Sequence, residues 1–131
     1  MNAEHTKHLI EKYPVLYQGH KLPITQNLMS FGFEHGDGWF VLLDNLSALI
    51  TLLDKRDGSE TIAVQVKEKF GALRFYVQAG SDAIFDLIDK AEDESSRTCE
   101  MCGEPGELRG VGWVSTMCDK CWAKTQAKEK A

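Results

Sequence analysis

The chain reads TIAVQVKEKFGALRFYVQ from residue 61 to residue 78. Apolar side chains recur at every second position on both sides of a central Phe-Gly pair: Ile62, Val64, Val66, Leu73, Phe75 and Val77. Period-two alternation around a glycine is typical of a β-hairpin with one buried face. The opposite face would carry the polar side chains of this stretch: Gln65, Lys67, Arg74, Tyr76 and Gln78.

Helical periodicity flanks this hairpin on both sides. Apolar residues recur at three- and four-residue steps from Trp39 to Leu53, which predicts a helix near 38–55 that ends before Gly58. After the hairpin, Ser81 is expected to cap a helix over 82–97. An isolated hairpin is only marginally stable, so we expect both helices to cover its apolar face. Residues 15–27 could add a third strand to the sheet. The predicted core residues are Trp39, Leu46, Phe75, Val77, Ile84 and Ile88.

All four cysteines lie in one stretch near the C-terminus, with the spacing C-x2-C-x15-C-x2-C: Cys99, Cys102, Cys118 and Cys121. Two such pairs supply the four thiolates of a tetrahedral structural zinc site. Two disulfides or a CxxC redox pair are the alternatives. We favour zinc because the chain shows no secretory signal and because a redox pair would not occur twice. Four thiolates leave no coordination position for a substrate, which indicates a structural rather than a catalytic ion.

The residues around the cysteines predict how this segment folds. Gly103 allows a knuckle after the first pair, residues 108–117 favour a small hairpin, and helix-forming residues begin inside the second pair. Knuckle, hairpin and helix in that order form a treble clef, with a plain zinc ribbon as the alternative. The predicted class is therefore α+β: a small antiparallel sheet (hairpin 61–78) packed by helices, with a C-terminal four-cysteine module. We expect a body of residues 1–97 and a cysteine module of residues 98–131.

Composition bounds the class of protein. The chain has 131 residues, 43% hydrophobic and 27% charged, with a net charge of -5, which is ordinary for one globular domain. The N-terminus lacks the apolar region of a secretory signal, and the apolar stretch 39–53 is too short and polar to span a bilayer. We therefore expect a cytoplasmic protein without membrane contact. No clustered basic face is visible, which disfavours DNA binding by phosphate neutralisation.

The stretch from Cys99 to Pro105, together with the second cysteine pair, resembles the zinc segment of the DksA/TraR family of RNA-polymerase-binding regulators. The resemblance implies zinc and, as one possible function, association with RNA polymerase. In that family an acidic coiled-coil tip carries the pattern Asp-x-x-Asp-x-Ala, and this chain has Asp86-Leu-Ile-Asp89-Lys-Ala91. We favour an ordinary helix here, because Leu87 and Ile88 fit its apolar stripe.

The whole chain also resembles a group of small bacterial and phage four-cysteine zinc-finger proteins, in the segments 31–34, 36–39, 66–71 and 73–76 and the cysteine pairs. This resemblance implies a phage or prophage setting and no established activity. Because small accessory proteins of this kind often act by binding a host protein, we expect that role here. The alternative is a nucleic-acid-binding or RNA-polymerase-associated transcription factor. No catalytic pattern stands out, so we do not expect an enzyme. Aromatic and arginine residues dominate binding hot spots, and the candidate contacts of this kind are Arg74, Tyr76, Trp113 and Trp122.

Overall fold

A computed structural model describes the backbone of residues 1–130 and the side chains of residues 1–128. Its helices and strands follow in the order α1 (Ala3–Lys12), β1 (Phe33–Glu34), α2 (Phe40–Asp57), β2 (Ile62–Lys69), β3 (Ala72–Gln78), α3 (Asp82–Ser95), β4 (Glu107–Arg109), β5 (Ser115–Met117) and α4 (Asp119–Lys130). The strands form one sheet in the order β1-β2-β3 and a second sheet of β4 and β5. This architecture confirms the predicted α+β class. No helix in the described part of the chain is both long and apolar enough to cross a membrane.

The predicted hairpin consists of β2 and β3, which pair antiparallel from Ile62 opposite Gln78 to Lys69 opposite Ala72. Its turn residues are Phe70 and Gly71, with φ angles of 55° and 82°. Two successive positive φ angles are what a type I′ turn requires, and this turn matches the right-handed twist of the flanking strands. The sequence therefore located both the hairpin and its turn.

The buried face of β2 differs from the predicted one. Its pairing register shifts between Ala63 and Gln65, and such a bulge breaks the alternation of faces along a strand. Ala63 and Val66 are fully buried, whereas Ile62 and Val64 are only half-buried. The apolar pattern therefore predicted the buried face of β2 correctly at Val66 and incorrectly at Ile62 and Val64, which precede Gln65.

The third strand, β1, lies in the glycine-rich segment before α2 and not within residues 15–27. β1 pairs parallel with β2 through Phe33 opposite Val66 and Glu34 opposite Lys67, so the sheet is mixed rather than purely antiparallel. The expectation of a strand within residues 15–27 is wrong, because these residues form turns around a 3-10 segment, Gln18–Lys21. A two-residue strand is too short to show a period in sequence.

The two central helices occupy their predicted places beside the hairpin. α2 ends at Asp57, and the φ of 68° at the following Gly58 is the left-handed conformation common just after helix C-termini. The side chain of Ser81 accepts a hydrogen bond from the amide of Ile84, which is the predicted N-cap of α3. Most of the predicted core is buried, namely Trp39, Leu46, Phe75, Ile84 and Ile88, while Val77 packs half-buried against it.

The outer edge of β3 is closed by side chains of α3. The amide of Leu73 donates to Ser95 Oγ at 2.9 Å, and the amide of Phe75 donates to Glu92 Oε2 at 2.9 Å. An open strand edge would present unpaired amides to other chains. The helix therefore both covers the hydrophobic face and satisfies the edge of the sheet.

Candidate metal centre

The four cysteines converge at one point of the structure. Their sulfur atoms all lie within 4.8 Å of one another, and Sγ of Cys102 lies 3.6 Å from Sγ of Cys118. Zn–S bonds of about 2.3 Å in a tetrahedron place the sulfurs about 3.8 Å apart, so these separations fit zinc. All four are free thiols, and a disulfide is not formed. Within the described residues this is the one cluster of His, Cys, Asp or Glu side chains suited to a metal ion.

The first cysteine pair lies on a tight knuckle. The amide of Cys99 donates to the carbonyl of Glu104 at 2.7 Å, and the amide of Gly103 donates to the carbonyl of Cys99 at 2.9 Å. Gly103 has a φ of 86°, a conformation that side chains disfavour. These bonds place the buried thiol of Cys99 and the exposed thiol of Cys102 on the same side of the turn.

The second pair straddles the start of a helix. Cys118 directly follows β5, and α4 begins at Asp119, so Cys121 lies in its first turn. β5 pairs antiparallel with β4, with Met117 opposite Glu107. Knuckle, hairpin and helix therefore follow one another as predicted for a treble clef. A plain zinc ribbon would place the second pair on another knuckle instead.

The helix start also favours a thiolate at the second pair. The amide of Cys121 donates to Sγ of Cys118 at 3.4 Å, and this hydrogen bond lowers the pKa of the Cys118 thiol to about 7. Burial and hydrogen bonds with the neighbouring thiols raise the pKa of Cys121. Gathered thiols cannot all ionise together unless a cation compensates their charge. A divalent cation would bind all four as thiolates.

Arg109 ties the small hairpin to the second pair. Its Nε donates to the carbonyl of Met117 at 2.9 Å, and its Nη2 donates to Asp119 Oδ1. Both partners adjoin Cys118 in the chain. Groups that orient metal ligands in this way commonly tune affinity, so Arg109 is a supporting residue that sequence reasoning did not identify.

Two glycines before α2, Gly36 and Gly38, contact the first cysteine knuckle and hydrogen-bond to it. The amide of Gly36 donates to Glu100 Oε2 at 2.9 Å, and the amide of Gly38 donates to the carbonyl of Glu100 at 2.7 Å. A Cβ atom on Gly38 would lie 2.6 Å from the amide nitrogen of Gly103, so only glycine allows this approach. A glycine pair before a helix can also receive a phosphate, but here its amides bind the knuckle.

Two further contacts join the module to the rest of the chain. Trp39 Nε1 donates to the carbonyl of Thr98 at 2.9 Å. At the hairpin turn, Thr116 Oγ1 donates to the carbonyl of Gly71 at 2.6 Å, and both groups are buried. The division into a body of residues 1–97 and a module of residues 98–131 stays a prediction, and residue 131 lies outside the described residues.

The four candidate contact residues fall into two groups. Arg74 and Tyr76 lie on the outer face of β3, and 44% of Tyr76 is exposed. Trp113 and Trp122 line one cavity of about 560 Å³ beside α4. Trp113 is 86% exposed, whereas Trp122 is half-buried. Their role in binding stays a prediction.

Comparisons with known protein families, curated proteins and solved structures gave no match for this chain. The resemblances to the DksA/TraR family and to small phage proteins therefore stay predictions. What the structure shows is the coarser feature, a group of four cysteines near the C-terminus within metal-binding distance. The function has to be argued from this site and from the surfaces around it.

Proposed function

We propose that the chain is a non-enzymatic zinc-binding protein that acts by binding another protein. The observation that carries the metal assignment is the convergence of four thiols within 4.8 Å. A tetrahedral set of sulfur ligands selects zinc or iron among common metals. Zinc is favoured because the two pairs follow the treble-clef order of structural zinc sites. Cys99, Cys102, Cys118 and Cys121 would be its ligands.

Two features support a binding role for the zinc-stabilised fold. Four thiolates would saturate the ion, so the metal would serve the fold rather than a reaction. Large aromatic side chains lie on the surface, among them Trp113 at 86% exposure and Phe70 at 73%. Exposed aromatic residues of this kind are typical of interface hot spots. A phage or prophage setting with a host protein as partner rests on sequence resemblance and belongs to this proposal.

Nucleic-acid binding is the second candidate, and one observation favours it. Lys120, Lys124 and Lys128 are exposed on α4 at four-residue steps, which places them on one face of the helix. The net charge of -5 opposes this function, because a polyanion is held mainly through neutralised phosphates. Protein binding therefore remains our preferred proposal.

Metal analysis of protein purified without added zinc tests the first part of the proposal. We expect one zinc per chain, lost when both Cys118 and Cys121 are replaced by serine. A chain with no metal and four reactive thiols would refute zinc binding, and stoichiometric iron would reassign the metal.

Affinity capture from bacterial lysate, run in parallel with and without nuclease treatment, tests the second part. The zinc-loaded chain should retain a defined protein, and Trp113→Ala should retain less of it. Retention of nucleic acid alone, in a salt-sensitive manner that Lys124→Glu and Lys128→Glu abolish, would favour the second candidate.

A further inference from the structure

Two cations lie directly opposite each other on the outer face of the hairpin. Lys67 of β2 pairs with Arg74 of β3, and the neighbouring pair on this face is Gln65 opposite Tyr76. Like charges at paired positions of a sheet are destabilising. Among the side chains that the structure describes, neither cation forms an ion pair. The two facing cations therefore destabilise the sheet, and no carboxylate among the described side chains forms an ion pair with them. This suggests that the negatively charged partner is an external ligand.

The nearby carboxylates are already engaged in local hydrogen bonds. Glu34, opposite Lys67 in the parallel register, accepts a hydrogen bond from Gln65 Nε2 at 3.2 Å. Glu68 Oε2 accepts from the amide of Gly71 at 2.7 Å and so closes the hairpin turn. The guanidinium of Arg74 reaches only the carbonyl of Leu73, at 3.3 Å. Its remaining donors stay available to a ligand.

The same face leads into an apolar cleft at the tip of the hairpin. Lys69 lies two residues after Lys67 and therefore on the same face. It lines a cleft of about 270 Å³ together with Phe70, Trp113 and Glu68, whose carboxylate accepts the hydrogen bond from the Gly71 amide. Both aromatic rings are largely exposed, at 73% and 86%. The cleft is smaller than small-molecule pockets, which span about 300–1,000 Å³. Its size suits a single anchoring side chain.

We propose that this surface binds an acidic peptide segment of a partner protein. Carboxylates of the segment would lie on Lys67 and Arg74, and a large apolar side chain beside them would enter the cleft between Phe70 and Trp113. Arginine offers paired N–H donors that match a carboxylate. The inference rests on the proposed protein-binding function and names the chemistry of the partner.

A peptide fits this surface better than a nucleic acid. The strands of the outer face present one aromatic ring, that of Tyr76. The exposed rings of Phe70 and Trp113 line a cleft and do not continue a row on which successive bases could stack. Glu34 lies opposite Lys67 in the parallel register, and Glu68 lines the cleft at the tip of the hairpin. Both carboxylates would oppose a continuous phosphate backbone that follows this surface. A short segment with two or three carboxylates can avoid them, because its charges need to meet only the Lys67–Arg74 pair.

Fluorescence anisotropy with defined probes tests the proposal on the zinc-loaded, full-length chain. The main probe is a labelled peptide, Glu-Asp-Glu-Asp-Gly-Leu-Trp, and the comparison peptide has lysine at every acidic position. A labelled oligothymidylate serves as the nucleic-acid probe. The test variant combines Lys67→Glu with Arg74→Glu. The matched control combines Lys124→Glu with Lys128→Glu, which changes the net charge equally on an exposed face of α4.

We expect the acidic peptide to bind the native chain and the control variant alike, and to bind less at high salt. The test variant should weaken binding by about tenfold or more, since two charge contacts become repulsive. Trp113→Ala should weaken it as well while zinc content stays unchanged. These results together would support the assignment.

Three outcomes would overturn it. The first is equal binding of the acidic and lysine peptides, or no binding of the acidic peptide. The second is tighter binding of the oligothymidylate than of the acidic peptide. The third is a native chain that dimerises in sedimentation while the test variant stays monomeric, which would assign the face to a second copy. A failure of this surface can be distinguished from a failure of the proposed protein-binding function. A captured protein whose retention is unaffected by the test variant would leave protein binding intact and refute only this surface.

Discussion

Replacing Gly38 with alanine should separate the cysteine knuckle from the loop that receives it. The new Cβ would lie 2.6 Å from the amide nitrogen of Gly103 and 2.7 Å from the carbonyl carbon of Glu100. Both are backbone atoms, so no side-chain rotation can relieve the contact. The knuckle must therefore move away, which also breaks the hydrogen bond from the Gly38 amide to the Glu100 carbonyl.

The expected loss of stability follows from these two effects. Overpacking in a well-packed region costs about 1–3 kcal/mol, and the lost hydrogen bond costs about 1 kcal/mol more. We therefore expect the free energy of unfolding to fall by about 2–4 kcal/mol, and Tm to fall by about 10 °C for a domain of this size. Zinc should also be released faster, because the knuckle orients Cys99 and Cys102.

Urea denaturation and zinc transfer to a coloured chelator measure both effects. Gly80→Ala is the matched control, because its Cβ would meet only side-chain atoms of Val77 and Phe85, at 3.1 and 3.2 Å. This control should change stability by less than about 1 kcal/mol and leave zinc transfer unaltered. Equal stability of the two variants would refute the role assigned to Gly38.

Two further predictions concern the core. Phe75 is only 3% exposed, so replacing it with alanine should lower the free energy of unfolding by about 3–5 kcal/mol. Urea denaturation measures this loss, and a near-neutral effect would contradict the burial of this strand face. Burial lowers the pKa of His35 from 6.5 to about 4. As the pH falls, the imidazole of His35 is therefore protonated in the unfolded chain before it is protonated in the folded chain. The free energy of unfolding should then fall by about 3 kcal/mol between pH 6.5 and pH 4. The His35→Phe variant should lack this pH-dependent loss of stability when its unfolding curves are compared with those of the native chain between pH 6.5 and pH 4.

Local signals allowed much of the fold to be predicted. The hairpin follows from alternation around Phe70-Gly71, and the treble-clef order follows from cysteine spacing and from the helix formers after Cys118. Each of these signals lies within a few residues of the structure it specifies. The caps at Ser81 and Gly58 were predictable for the same reason.

Other features depend on contacts between distant residues. The hydrogen bond from Gly36 to Glu100 joins residues 64 positions apart, and nothing near Gly36 in sequence identifies its partner. Gly36 and Gly38 form a Gly-x-Gly pair before α2, but this pattern alone does not reveal whether its amides bind a ligand or another part of the chain. Likewise, Tyr17 and Met29 are buried in irregular segments, where no periodicity indicates burial.

We expect the cleft proposed for peptide binding to depend on the metal site, although none of its residues is a candidate metal ligand. Phe70 lies in the hairpin turn, whereas Trp113 lies in the loop between β4 and β5. The hydrogen bond from Thr116 of β5 to the Gly71 carbonyl joins the small hairpin to the turn that carries Phe70. The amide of Glu100 donates to the carbonyl of Thr116 at 2.9 Å. We therefore expect zinc, by fixing Cys99 and its neighbour Glu100, also to fix the wall of the cleft that carries Trp113. Metal binding and the proposed peptide binding would then be coupled through the packing of one small hairpin on another.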